Sequence, residues 1–455
     1  MSKLLAALTV SLATAPLTDG AMRTEVDRLV TGLGAARHLP FHGTLPARIV
    51  PRDVAQRESA IAVGVGLSGA GRDVEGEILK RLGLLPAGVD YGALVAKTAG
   101  SLDASYDVAT GRLSVPDFVS LGDQRIALGH AIAHALADQH FGLRDFLRLA
   151  PDGGRRLEGD AERARLAVVE GDATLTGLEL QDPHEAFLGR HELSTLGARL
   201  REATATEGAP LWLVELARFT HVDGFLFTAR ARAQGPWSAV DALWADPPAS
   251  TEQVLHPEKY DACEAPIPVD EATLPTLPGF GRPAASDVLG ELVARTWLAS
   301  VLPPEIATRA AAGWGGDRAG IYTARPGASP DGGAAPERPL AWLTIWDDSG
   351  EAEDFARAAT QVLVALTTSA PATNGPAGGR AVFPSAAGLY ALDRRGEAVA
   401  LLFAAPPSTL PAPPALDEML DRWRRQQNAN RKSATHPRHA APPNCPRRDR
   451  AGGRG

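Results

Sequence analysis

Apolar residues follow a helical rhythm through most of the chain before about residue 260, and an alternating one through much of the chain beyond residue 300. Thr24 to Leu33 predicts a helix, and Leu45 to Val50 an extended segment bounded by prolines. Arg72 to Leu82 places Val74, Ile78, Leu79 and Leu82 on one helical face, and Tyr91 to Ala99 predicts another short helix. Ser105 to Val115 reads as a β-hairpin turning on Thr110 and Gly111. Gln124 to His140 carries Ile126, Leu128, Ile132 and Leu136 among many alanines, which suits a buried helix that neighbours approach closely. Beyond a glycine-rich break at Pro151 to Gly154, Leu157 to Leu178 predicts a second long helix. Leu211 to Gly235 and Pro236 to Trp244 read as further helices, and Ser250 to Tyr260 as a loop pinned by Pro247, Pro248 and Pro257.

The rhythm changes after residues 264–284, which are rich in proline and acid and read as a linker. Ala285 to Leu302 predicts a helix, and Asp348 to Leu366 an amphipathic one. Between and after them, Gly320 to Ala324, Pro339 to Trp346, Gly388 to Leu392 and Ala398 to Ala404 read as strands, with a hairpin turn at Arg394 to Glu397. That order implies a small antiparallel α+β module with helices on one face. From Gln426 onward the apolar pattern is absent and disorder is expected.

Composition adds limits. With 44% hydrophobic residues among 455, the chain has ample material for a core. The net charge of −8 hides an asymmetry, because nine Lys/Arg face one Asp from Arg424 onward, leaving an acidic body. Such a body argues against nucleic acid as a specific partner. Met1 to Lys3 followed by Leu4 to Ala15 has the charged start, short apolar run and small-residue exit of a secretory signal, with Ala15 or Ala21 as the cleavage site; an ordinary amphipathic first helix is the competing reading. The run is too short to span a bilayer, so no transmembrane segment is expected and the protein reads as secreted or periplasmic. Cys263 and Cys445 make no Cys-x-x-Cys pair, so zinc, if bound, is held by histidine and carboxylate.

The chemistry centres on the run from Leu128 to Phe141, Leu-Gly-His-Ala-Ile-Ala-His-Ala-Leu-Ala-Asp-Gln-His-Phe. It puts His130 and His134 four residues apart, so both imidazoles leave one helical face about one turn apart and can grip one metal ion. On the next long helix, Leu166, Ala167, Glu170, Ala173 and Gly177 share a face, and Glu170 is an acid on an otherwise small and apolar stripe. A buried carboxylate needs a cation or a proton. Zinc held by His130, His134 and Glu170 satisfies it and leaves a fourth position for water. Asp160 and Asp172 are candidates to accept the remaining ring N–H of a histidine ligand. The competing reading has the two histidines bonded to carboxylates in a core, with Glu170 paired to Arg165 or another base. His140 points about 80° away from His130 and reads as a structural hydrogen-bonding residue. His256, Lys259 and Tyr260 can serve as donors to a metal-bound oxyanion, or simply belong to a structural loop.

These residues and their flanks resemble a family of bacterial zinc metallopeptidases, in which His-Glu-x-x-His-Ala-Leu-Gln-Asp-Gln-His-Phe is followed by a Glu-Gly-Asp-Ala helix. Arg165 to Leu175 matches that second helix, and Pro247 to Tyr260, Gly313 to Arg318 and Trp342 to Asp347 are similar to the family's later blocks, in the same order. The resemblance covers roughly residues 30 to 423. It implies a mainly helical, zincin-like, gluzincin-type domain over 22–263 with a small N-terminal β-hairpin or sheet, which either offers an edge to an extended peptide or merely covers the metal helix. Around it stand a signal peptide at 1–21, the linker at 264–284, the α+β module at 285–423 and a disordered basic tail at 424–455. One position departs from the pattern: Ala131 stands where the family has the glutamate that takes a proton from zinc-bound water. Alanine cannot do so, and the nearest other acid of the motif, Asp138, lies a turn or more away. The expected protein is therefore a zinc-binding, peptide- or protein-binding homologue without peptidase activity. A working hydrolase with an unusual base and a structural protein without metal are the alternatives.

Overall fold

A computed structural model describes residues 17–55, 58, 69–99, 103–149, 157–181, 189–203, 208–325, 338–371, 380–405 and 414–434. The protein is mixed α+β, with two sheets among the described residues. The chain divides into two compact units, one drawn from 1–73, 89–157 and 161–249, the other from 74–88, 158–160 and 250–455. Among the described residues no helix is long and apolar enough to cross a membrane. The signal-like residues before Leu17 and the tail after Ala434, with Cys445, lie outside the described residues.

In the first unit, helix α1 (Asp19–Arg37) begins at Thr18, whose side chain accepts from Ala21 N. The expected signal segment, 1–21, therefore overlaps a folded helix, and cleavage after Ala21 would remove its cap and first turn. Strands β1 (Ala47–Val50), β2 (Ser105–Asp107) and β3 (Arg112–Pro116) form a sheet in the order β1-β3-β2, with β1 parallel and β2 antiparallel to β3. The expected hairpin is thus present, and β2 is an edge. One core holds Met22, Val26, Leu33, Leu113, Leu128 and Ile132, joining α1 and the sheet to helix α2 (Arg125–Phe141). Helix α2 stops at Gly142, a glycine at φ 68°. Helix α3 (Gly159–Gln181), from Ala161 on, and helix α4 (Leu211–Arg218) complete the frame of this unit's candidate site. Helix α4 runs through a π-helical turn, Phe219–Asp223, into helix α5 (Gly224–Gln234), which precedes helix α6 (Trp237–Ala245).

The second unit is built on a six-stranded antiparallel sheet in the order β4-β5-β6-β9-β8-β7. Its strands are β4 (Ala285–Asp287), β5 (Trp314–Ile321), β6 (Leu340–Trp346), β7 (Arg380–Ser385), β8 (Gly388–Arg395) and β9 (Ala398–Ala405). Four corrections to the sequence reading arise here. Residues 264–284 are no free linker: Val269, Leu274 and Leu277 are buried in the sheet's core, and Ile267 N donates to Gly315 O. Prolines there suit an extended path that needs few backbone donors. Ala285 opens a strand, and the helix begins only at Gly290. The expected loop from Ser250 to Tyr260 forms two short helices, Thr251–Leu255 and Pro257–Asp261. The final helix, Pro414–Ala434, runs on past the expected start of disorder, with Leu416, Met419, Leu420 and Trp423 buried on the sheet.

The block from Gly313 to Arg318 is explained by packing. Asp317, 1% exposed, accepts from Leu289 N, Gly290 N and Trp314 Nε1 at 2.8, 2.8 and 2.9 Å, so it satisfies the start of the helix at Gly290. Asp317→Ala strands three buried donors, and the expected cost is about 2–4 kcal/mol. Urea unfolding followed by tryptophan fluorescence measures it; a loss under about 1 kcal/mol sinks this account.

Candidate metal centre

The two histidines of α2 lie where the four-residue spacing puts them, with His130 Nε2 and His134 Nε2 3.0 Å apart. Glu170 enters from α3, its Oε2 2.9 Å from His130 Nε2 and 3.6 Å from His134 Nε2. All three side chains are 16–20% exposed. A tetrahedral ion at zinc's bond lengths of about 2.0–2.1 Å separates its ligand atoms by about 3.3–3.4 Å, close to the three distances here.

Proton counting supports a cation as well. A ring nitrogen carries at most one proton, so a single N–H on His130 would have to serve both the 2.9 and 3.0 Å contacts while Glu170 stays ionised. A cation instead takes one lone pair from each group. Burial, then the neighbouring His134, pushes His130 down to about 4. Burial acts upward on Glu170, but the His134, His221 and His130 imidazoles outweigh it and hold the carboxyl well below its usual range. Neutral imidazole and ionised carboxylate are the forms a metal requires. The residues present therefore fit zinc as the donor set His130, His134 and Glu170.

One more side chain, outside the three whose ligand atoms lie within 4.8 Å of one another, stands beside Glu170 without any helical spacing to announce it. His221 Nδ1 lies 3.2 Å from the same Glu170 Oε2, without hydrogen-bond alignment. Its position is set by a close crossing of α3 with the helix that carries it. A Cβ on Gly171 would stand 2.2 Å from Gly224 O, and one on Gly224 would stand 2.2 Å from Ala167 O. Glycine at both points lets the backbones touch, which brings Glu170, beside Gly171, up to His221, three residues before Gly224. The π turn contributes too: Gly224 N bonds back to Phe219 O, so one extra residue is accommodated and the side chains around it are re-aimed.

The other expected site residues lie elsewhere. Asp172 accepts from Arg37 and Trp244 in a buried network, with Arg37 Nε at 2.8 Å and Trp244 Nε1 at 2.8 Å. Asp160, in the second unit, takes bonds from Thr251 N and Oγ1. The Nδ1 atoms of His130 and His134 have no hydrogen-bond partner among the described residues, so neither acid acts as the expected acceptor. His256 Nε2 meets Glu291 Oε1 at 3.0 Å, and Tyr260 is buried, both within the second unit. Lys259 Nζ sits among Glu252, Glu264 and Asp347 at 2.6, 2.9 and 2.5 Å, so an ammonium already fills that acidic cluster. Arg165 donates to Phe146 O.

The remainder of the motif around α2 is scaffold. Asp138 accepts from Tyr106 Oη and Leu143 N, Gln139 bonds both backbone atoms of His42, and His140 Nε2 donates to Pro40 O. Ala131 is 3% exposed and belongs to the apolar cluster with Met22, Val26, Leu128 and Ile132.

Residues 277–412, within the second unit, match the model of a domain of unknown function (DUF8575). No curated protein and no solved structure matches the chain.

Proposed function

We propose that this protein is a zinc-binding, gluzincin-like metallopeptidase homologue that does not cleave peptides. The observation that carries the reading is the convergence of His130 Nε2, His134 Nε2 and Glu170 Oε2 within 3.6 Å of one another. Zinc bound there would supply a Lewis acid. What position 131 lacks is a group to move the proton. Ala131 has none to offer, and Asp138 is held by Tyr106 and Leu143. His130 and His134 present lone pairs, Glu170 supplies the negative charge, and the surrounding alanines of α2 keep the site compact. The edge of the sheet at β2 supports an extended peptide or protein ligand, because an edge strand offers unpaired backbone groups.

The test is elemental analysis of dialysed protein together with an assay on unfolded protein substrates. About one zinc per chain and no chelator-sensitive cleavage are expected. Metal-free protein, or cleavage abolished by a chelator, overturns the reading.

A further inference from the structure

We propose that His221 is a positioning residue of this centre: from outside the ligand set, its Nδ1–H holds Glu170 Oε2 and so fixes how that carboxylate meets the ion. This role presupposes the proposed metal binding and gives a task to the histidine beside Glu170. Two observations place it. His221 Nδ1 stands 3.2 Å from Glu170 Oε2, the oxygen that also lies 2.9 Å from His130 Nε2 and 3.6 Å from His134 Nε2. It nears Glu170 alone, since only His130, His134 and Glu170 have ligand atoms close enough together to share an ion, and its ring centroid is 6.1 Å from that of His130. A nitrogen beside a ligand and not beside the ion stands where an outer partner belongs. Next, that nitrogen is buried and has no hydrogen-bond partner among the described residues, so Glu170 faces a donor spent on nothing else.

Counting protons gives the task. A carboxylate oxygen offers about two lone pairs, and a ring nitrogen that gives its own lone pair to a metal carries no proton. With zinc held by His130 and His134, neither Nε2 can donate to Oε2, and Oε2 gives one lone pair to the ion. The other lone pair still needs a donor, in a side chain only 20% exposed. Among the described residues Glu170 is paired with His130, His134 and His221, so His221 is the donor that remains.

The backbone keeps the ring at that place. His221 sits in the π turn Phe219–Asp223, a rare element often found at functional sites, and Gly224 follows that turn as Gly171 follows Glu170. The close crossing at these two glycines brings Nδ1 to Oε2 through touching backbones and not through long, free side chains. The two atoms are at donor distance but off the line of a hydrogen bond. The last torsion of a glutamate is soft, so alignment needs a turn of the carboxylate and no movement of the backbone.

The test compares donors at position 221 in the full chain. His221→Asn keeps a donor nitrogen on Cγ, where Nδ1 is, and is expected to bind zinc close to wild type. His221→Phe, which has a ring without a donor, and His221→Ala are expected to bind it about 10- to 100-fold more weakly, as for loss of an outer partner. Competition against a chromophoric chelator measures all four affinities, and the Ala variant carries the comparison if the Phe variant does not fold. X-ray absorption at the zinc edge is expected to count two imidazoles in the wild type and in each variant. A third imidazole in the wild type overturns the outer position. Wild-type affinity in the Phe and Ala variants overturns the proposal, because Glu170 then needs no such partner. Equal losses in Asn, Phe and Ala overturn it too, because bulk at 221 and not its donor then matters. Wild-type protein that binds no zinc overturns the metal-binding reading itself, an outcome distinct from zinc bound with no dependence on a donor at 221.

Discussion

His134→Ala protein is expected to bind zinc at least about a hundredfold more weakly than wild type. A complete structural zinc site is worth roughly 10–16 kcal/mol, so one ligand of three or four carries about 3 kcal/mol or more. The helix should tolerate the change, because alanine is the best helix former and α2 is already alanine-rich. The His130 contacts at 2.9 and 3.0 Å also relax, since its proton then serves Glu170 alone. Apo stability should change little, while the gain on adding metal should vanish. At a free zinc concentration a hundred times the dissociation constant, wild-type protein gains about 2.7 kcal/mol. Thermal melts with and without zinc read this as an upward shift in wild type and none in the variant. A variant with undiminished stoichiometry and the wild-type zinc-dependent shift removes His134 from the ligand set.

Much of the site was legible because it depends on local geometry. His130 and His134 follow from one turn of one helix, and Glu170 from the cost of an acid on a small, apolar stripe. Both arguments need only the 3.6-residue period, which α2 and α3 obey. His221 was not legible for the same reason. It lies on a π turn where that period fails, and its approach to Glu170 depends on Gly171 and Gly224 touching across helices far apart in sequence. A glycine inside an apolar helical stretch, at 224, was the only local sign. The acids Asp160 and Asp172 were misjudged because spacing gives a face and not a partner: Arg37, 135 residues away from Asp172, claims it.

The fold shows the same division. The hairpin at β2 and β3 and the strands β6, β8 and β9 announce themselves by turn residues and apolar alternation. Residues 264–284 read as a linker because prolines dominate their composition. Only the sheet, assembled from later strands, reveals that Val269, Leu274 and Leu277 are core residues. Strand β4 is three residues long and takes its partner from β5, so its own sequence carries almost no signal.

Ala131→Glu separates a lost base from a changed site, and the expected result is a destabilised protein that still does not hydrolyse peptides. In a site needing only its base, restoring the carboxylate returns roughly 10²–10⁴-fold in rate, which a sensitive assay detects above background. Two features oppose that return. Ala131 is 3% exposed among Met22, Val26, Leu128 and Ile132, so a glutamate there enters an apolar cluster. An uncompensated buried charge costs about 3–5 kcal/mol, and the side chain also needs volume that a close-packed core lacks. A peptidase assay with and without chelator, beside a thermal melt, reads both effects. Chelator-sensitive hydrolysis by Ala131→Glu would mean that the base was the one missing part and that position 131 still faces the centre.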